Sequence, residues 1–318
     1  MAARRAPVTK PRAQRALATT NGQPLAADRL GVRKTYKLYI GGAFPRTESG
    51  RAYEIVGARG EALANACRGT RKDIRDAVRA ARTALPEWAS KTAYNRSQIL
   101  YRIAELMEGR RDQFIGEVMA AEGVGRQRAT RLVNAAIDRW VWYAGWADKY
   151  TQLMGTVNPV AGSYFNFSVP EPTGVVGVIA PEGSSLLGLV SRLAPVVVSG
   201  NCAVVLASES RPLPAVTLTE VLATSDVPGG VVNLITGLRR ELVTHLAGHM
   251  DVNALDAYGL DPAVATAVEE TAAENVKRLV RPPAGGADAV DWLSPEAQSP
   301  YLIAEFTETK TVWHPIGA

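Results

Sequence analysis

The sequence predicts an α/β fold: a doubly wound parallel sheet, preceded by helices and followed by one small terminal strand. Three observations carry this. Continuous apolar runs of strand length alternate with helical stretches three times after Val169, several apolar stripes at helical spacing come before it, and a β-branched and aromatic segment closes the chain. Continuous rather than alternating hydrophobicity marks strands buried on both faces, as in parallel sheets. Strand and helix in alternation is the order of a doubly wound domain.

The 318 residues, 47% hydrophobic and 21% charged, have the composition of a core-forming protein of about two ordinary domains. Disorder, collagen and coiled coil are thereby excluded for the whole chain. The most apolar window, Leu186 to Leu206, is broken by Ser191, Arg192, Pro195 and Asn201, so no segment reaches the roughly 18 apolar residues of a membrane span. Two cysteines, Cys67 and Cys202, offer no disulfide framework, and a soluble, cytoplasmic protein is expected.

The net charge of +5 is unevenly placed: residues 1–34 hold eight basic residues against Asp28, a charge of +7, which leaves −2 for the rest. A nucleic-acid-binding domain would carry its positive charge on the folded part. This arm has three prolines and few large apolar residues; it cannot offset its ordering entropy and is read as disordered. It also lacks the apolar core of about 7 to 15 residues that a secretory signal needs.

Leu38-Tyr39-Ile40, a Gly41-Gly42 turn, a polar Glu48-Ser49-Gly50 turn and Tyr53-Glu54-Ile55-Val56 read as two strands of a hairpin. Helices are predicted from Asp73 to Ala84, Tyr94 to Arg111, Gln113 to Ala121 and Ala129 to Lys149, each with one buried stripe. In the last, Ile137, Trp140, Val141, Ala144 and Ala147 share a side, and Trp140, Trp142 and Trp146 place the helix deep in the packing. Strands at Gly174 to Ala180, Asn201 to Leu206 and Val231 to Ile235 then alternate with helices at Ser184 to Val198, Pro212 to Thr224 and Arg240 to Gly248.

Several short motifs, in one order and spacing, resemble the aldehyde dehydrogenase superfamily. They include Leu38-Tyr39-Ile40-Gly41-Gly42, the Trp142 to Lys149 stretch, Glu171-Pro172-Thr173-Gly174-Val175-Val176-Gly177, Gly200-Asn201, Glu209, Pro228-Gly229-Gly230-Val231-Val232-Asn233, and Phe306 to Trp313. The resemblance implies an aldehyde-dehydrogenase-like Rossmann-type domain over 35–281 after a disordered basic arm over 1–34. It also implies a linker over 282–300 standing where such enzymes carry a catalytic domain, and an oligomerisation strand over 301–318. In that last stretch Phe306, Thr307, Thr309, Thr311, Val312 and Trp313 are the candidate subunit-contact residues.

The family's chemistry uses a cysteine thiolate, an oxyanion-stabilising asparagine and a general-base glutamate. Here the resemblance puts Gly183 at the asparagine, Leu206 at the lysine that holds the adenine ribose, and Ala257-Tyr258-Gly259-Leu260 at the phosphate-binding turn. Pro282-Pro283-Ala284-Gly285 stands at the glutamate motif, and no cysteine follows it. No catalytic residue is therefore assigned, and Glu209 is left as a weak, vestigial cofactor contact.

Bland readings compete with the remaining signals. His245 and His249 have metal-ligand spacing, but with only His314 besides they read as helix surface, and no metal is assigned. Gly183-Ser184-Ser185 lacks the glycine and the histidine of a nucleophile elbow. Gly174 and Gly177 do not complete a dinucleotide fingerprint.

The expected function is that of a catalytically inactive aldehyde-dehydrogenase-like subunit that assembles with, and supports or regulates, a full-length active relative, with no cofactor. Self-association is a further expectation; nucleic acid is not. Two alternatives stand beside it. One is a divergent NAD(P)-dependent aldehyde dehydrogenase borrowing residues from a partner chain, with NAD or NADP as cofactor. The other is a dinucleotide-sensing or scaffold module.

Overall fold

The computed structural model describes residues 32–317. The basic arm over 1–34 therefore lies outside the described residues except for its last positions. Of these, Arg33 pairs with Glu54, and Lys34 Nζ lies 3.1 Å from a Glu220 carboxylate oxygen.

The centre is a parallel five-stranded sheet of order β10-β9-β6-β7-β8. Its strands are β6 (Val175–Ile179), β7 (Cys202–Leu206), β8 (Val232–Ile235), β9 (Ala254–Asp256) and β10 (Arg278–Val280). Every residue of β6, β7 and β8 is buried, which is why these stretches read as unbroken apolar runs. The crossover helices are α6 (Leu187–Val198), α7 (Leu213–Leu222), α8 (Arg239–Ala247) and α9 (Pro262–Ala273). From β6 the chain winds first towards β8 and then, through β9, the other way. The order thus switches between β6 and β9, and the crevice past their carboxyl ends is where open α/β sheets place ligands.

One face of the sheet packs against α1 (Arg71–Ser90) and α8; α6 and α7 cover the other, with α2 (Ala93–Gly109), α3 (Arg111–Glu122) and α4 (Arg126–Trp146) outside them. Helix α1 starts on a capping box, in which Asp73 accepts from the Thr70 amide at 2.7 Å and from Thr47 Oγ1 at 2.7 Å. Trp88 of α1 and Trp140 of α4 are fully buried; truncating either to alanine costs about 3–5 kcal/mol. Trp142 and Trp146 are only partly buried, their rings tilted against each other with centroids 5.6 Å apart, and Val141, expected on the buried side, is exposed. The inward face of α4 runs through Val133, Ala136, Trp140 and Tyr143, one position out of phase with Val141.

The expected hairpin is corrected. Strand β2 (Ala52–Val56) pairs antiparallel with β3 (Ala62–Cys67), while β1 (Thr35–Tyr36) runs parallel to β3. Tyr39 bonds to β8 instead, its N–H donating to Leu234 O at 3.0 Å and its carbonyl accepting from Leu234 N at 2.7 Å. The reason is burial: Leu38 and Tyr39 are core residues, whereas Ala62–Cys67 holds no β-branched residue and carries little strand signal. A short helix, α5 (Tyr150–Met154), precedes β4 (Thr156–Asn158) and β5 (Tyr164–Pro172), and α10 (Tyr301–Ala304) precedes β11 (Thr307–Pro315). These three strands form a second sheet of order β11-β5-β4, with β11 paired to β5 over its whole length. No helix of the described residues is long and apolar enough to cross a membrane.

Between α3 and α7, burial pushes the Glu117 carboxyl up to about 7, against hydrogen bonds from Thr217 (2.8 Å) and Gln113 (3.0 Å) that pull it down. Its other oxygen is buried with no partner among the described residues. A raised carboxyl pKa means that the folded chain holds a proton the unfolded chain releases, so stability falls as pH rises from about 4.5 to about 7 and stays low above. Relative to Glu117→Gln, the wild type is expected to lose on the order of 2–3 kcal/mol across that window, measured by urea unfolding at a series of pH values. Parallel pH profiles would contradict this.

Candidate functional site

The crevice at the switch point is a cavity of about 540 Å³, lined by the end of β6, the turn after β9, the loop after β7, the first turns of α8 and α9, and Gly285 to Asp288. Arg239 fills its floor. The guanidinium donates to Gly259 O at 2.7 Å, to Ala207 O at 3.3 Å and to Ala180 O, and lies 3.0 Å from a Glu182 carboxylate oxygen. Burial lowers the Arg239 pKa, with Glu182 and Glu209 opposing. Glu182 nests on the loop after β7, accepting from Ser208 Oγ (2.9 Å), Glu209 N (3.1 Å) and Ser210 N (2.8 Å). Burial pushes its carboxyl up, but Arg239 and the Ser210 and Ser208 hydrogen bonds outweigh that and hold it below the usual range.

Both helix starts that face the crevice are already occupied by this chain's own carboxylates. Glu209 accepts from the Arg239 amide at 2.7 Å, at the first turn of α8. Asp261 caps α9 through the Ala263 amide at 2.9 Å, and Pro262 at the next position has no amide proton to offer. A helix start attracts an anion through its free amides and its dipole, and here a carboxylate of this chain already takes one amide at each. Four carboxylates, from Glu182, Glu209, Asp261 and Asp288, line the cavity against the two guanidinium groups of Arg239 and Arg240. Gly259 lies so close to the end of β6 that an added Cβ would stand 2.0 Å from Ala180 O, so no larger residue fits this turn.

The other positions singled out in the sequence are structural. An added Cβ at Gly183 would meet Asp288 Oδ1 at 2.6 Å, and Leu206 is buried at the end of β7. Ser184 Oγ accepts from Gly188 N at 2.9 Å, and Ser185 Oγ donates to Glu122 at 2.6 Å, not to a histidine. His245 lies in the last turn of α8; His249 falls beyond its end, its Nδ1 accepting from Asp251 N at 3.2 Å, so the two do not share a helix face. Among the described residues no cluster of three or more His, Cys, Asp or Glu could hold a metal ion. Cys67 and Cys202 are both buried, and burial pushes the Cys202 thiol up to about 12.

Of the candidate contact residues, Phe306 and Thr307 are buried within this chain, whereas Thr309, Thr311 and Trp313 are exposed and Val312 is partly buried. Thr311 lies opposite Ser168, 2.8 Å between their hydroxyl oxygens; Val312 lies opposite Phe167, and Trp313 opposite Asn166. Sequence reasoning missed Arg239, Glu182, Asp261 and Asp288. Only Asp261 carried a local signal, since an Asp-Pro pair is a legible helix start.

Residues 46–290 match the aldehyde dehydrogenase family. The chain belongs to that family. It is 33% identical over 223 residues to aldehyde dehydrogenase family 2 member B4, mitochondrial, of Arabidopsis thaliana, a match covering 69% of this chain and 41% of that one. Among solved structures it is similar to HpcC from Thermus thermophilus, with a TM-score of 0.73, 29% identity, and coverage of 77% of this chain and 47% of that one. It is also similar to an aldehyde dehydrogenase from Bacillus cereus in its NAD+ complex, with a TM-score of 0.72, 26% identity, and coverage of 77% and 50%. The chain spans about half the length of the relatives it matches.

The dinucleotide that the aldehyde dehydrogenase family implies does not fit the residues this member places in the crevice. A pyrophosphate would meet Glu209 and Asp261 at the two helix starts, in a cavity where acids outnumber bases. Bringing like charges together in a half-buried site is unfavourable by several kcal/mol.

The buried thiols give a direct test. With the thiolate form of Cys202 suppressed, neither cysteine of the native protein is expected to react with a thiol reagent at pH 8, and two are expected to react after denaturation. A native-state thiol that reacts within seconds would contradict the placement of both.

Proposed function

We propose that this aldehyde dehydrogenase family member is a catalytically inactive subunit that assembles with a complete, active relative and supports or regulates it. The observation that carries the reading is the self-occupied crevice: Arg239 holds the strand ends and its amide is taken by Glu209, while Asp261 caps α9, where a dinucleotide would lie. The positions matching the family's asparagine and glutamate hold Gly183 and Pro282, neither of which can polarise a carbonyl or activate water.

Assembly is supported by the second sheet. β11 lies at its edge, nine residues long. Natural sheets blunt such edges or use them for pairing with another chain. One face of the sheet brings Phe165, Phe167, Val157 and Val312 together, and Val157 and Phe165 are exposed. The other carries the exposed aromatic pair Tyr164 and Trp313, 5.8 Å apart.

The chain purified alone is expected to turn over no aldehyde with NAD or NADP, and to co-elute with a full-length family member when the two are co-expressed. Trp313→Ala, which removes an exposed ring and spares the core, is expected to weaken that co-elution about ten-fold or more without lowering the melting temperature by more than a few degrees. Aldehyde oxidation by the homogeneous chain, or elution apart from every complete relative tried, would overturn the reading.

A further inference from the structure

Residues 287–299, which bridge the five-stranded sheet domain and α10, are ordered as two short 3₁₀ turns, Ala287–Ala289 and Pro295–Ala297. Apart from Leu302 N to Ser299 O at the start of α10, the backbone hydrogen bonds of this bridge run within the bridge and its Pro283–Gly286 root: Ala289 N to Gly286 O, Val290 N to Ala287 O, Ser294 N to Asp291 O, Ala297 N to Ser294 O and Gln298 N to Pro295 O. Among the described residues no strand or helix ladder ties it to the body. The ties are side chains. Arg139 of α4 donates to Trp292 O at 3.1 Å and to Ala297 O at 2.9 Å, and Tyr143 donates to Ser299 O at 3.4 Å. The Trp292 ring rests near Tyr258 at 6.1 Å.

Arg139 is an unusual residue for this duty. It is 3% exposed, and among the described residues no carboxylate lies within ion-pair distance; its Nη1 also donates to Ser191, and its Nε has no partner. A guanidinium buried on neutral acceptors is less stabilised than one buried on a carboxylate, so the clamp is weaker than the adjoining anchor. That anchor is Arg192, which holds Glu305, just after α10, by an ion pair of 2.7 Å. At the bridge's root stand Gly285 (φ 94°) and Gly286 (φ 75°), two consecutive left-handed glycines with the conformational freedom of a hinge. Gly285 to Asp288 also form one wall of the crevice.

We propose that the 287–299 bridge is a lid on the switch-point crevice, hinged at Gly285–Gly286 and latched by the Arg139 guanidinium on the Trp292 and Ala297 carbonyls. Opening breaks the Arg139 and Tyr143 hydrogen bonds and lifts Trp292 from Tyr258. It leaves the Arg192–Glu305 anchor, α10 and β11 in place. The lid does not depend on the chain being inactive; it governs access to the crevice whatever occupies it.

Segment-resolved amide hydrogen exchange on the full chain tests this, with the wild type and Arg139→Met, which keeps an apolar stem and removes the donors. In the wild type, exchange over 287–299 is expected to be at least about ten-fold faster than in α4 and β6 and insensitive to low urea, the signature of local opening. In Arg139→Met, exchange over the same residues is expected to rise about another ten-fold, with α4, β6 and β11 unchanged and new proteolytic cuts confined to the bridge. Wild-type bridge amides as protected as those of β6 would overturn the proposal, even if the variant fails to fold. So would an Arg139→Met chain whose bridge exchanges as in the wild type, or one in which exchange rises evenly along the chain.

Discussion

The crevice is governed by one guanidinium. Arg239 donates to the carbonyls that end β6 and β7 and to the turn after β9, so three separate strand termini converge on a single side chain. Carbonyl oxygens gathered at one end of a parallel sheet repel one another and need donors; in this chain a side chain supplies them. The acid partners follow from that choice. A guanidinium buried among carbonyls needs a counter-charge, and Glu182 provides it while accepting four further hydrogen bonds from the loop after β7. Glu209 then closes the first turn of α8. Arg239, Glu182 and Glu209 thus satisfy one another, and of the two guanidinium groups in the crevice only that of Arg240 has no partner among the described residues.

A second buried charge cluster fixes what surrounds the crevice. Arg192, inside a helix with no exposed face, pairs with Asp256 at 2.7 Å and with Glu305 at 2.7 Å, its guanidinium 3.8 Å from the Tyr258 ring centroid. Burial alone would lower the Arg192 pKa, but Asp256 and Glu305 together raise it, and the group stays charged. Removing one member of such a pair leaves an uncompensated buried charge, typically a loss of about 3–5 kcal/mol. The cluster joins α6, the end of β9 and the segment leading to β11, so the small terminal sheet is positioned by the same side chain that packs the domain's interior.

How much of this was legible in the sequence depended on how local the cause was. β6, β7 and β8 were readable because burial on both faces writes itself as Val-Val-Gly-Val-Ile or Cys-Ala-Val-Val-Leu. β9 was not, because it ends in Asp256, and an acid closing a three-residue strand reads as loop until its partner Arg192, 64 residues away, is known. The same holds for Glu209. Its position was evident, but its role depends on the Arg239 amide 30 residues on. Phe306 was grouped with the contact strand by its neighbours, yet it is fully buried beside Arg192. The 282–300 stretch read as linker from its Pro, Ala and Gly content, and composition could not disclose that Arg139 holds it in place.

Family membership is carried by the apolar frame of this molecule. The apolar frame of the sheet and its helices is that of the aldehyde dehydrogenases, while the polar residues at the switch point are arranged for one another. The most direct measurement is a calorimetric titration of the purified chain with NAD+ and with NADP+ at low ionic strength. A self-satisfied crevice predicts no heat beyond dilution up to millimolar dinucleotide. Saturable one-to-one binding in the micromolar range, abolished when Arg239 is replaced, would contradict it.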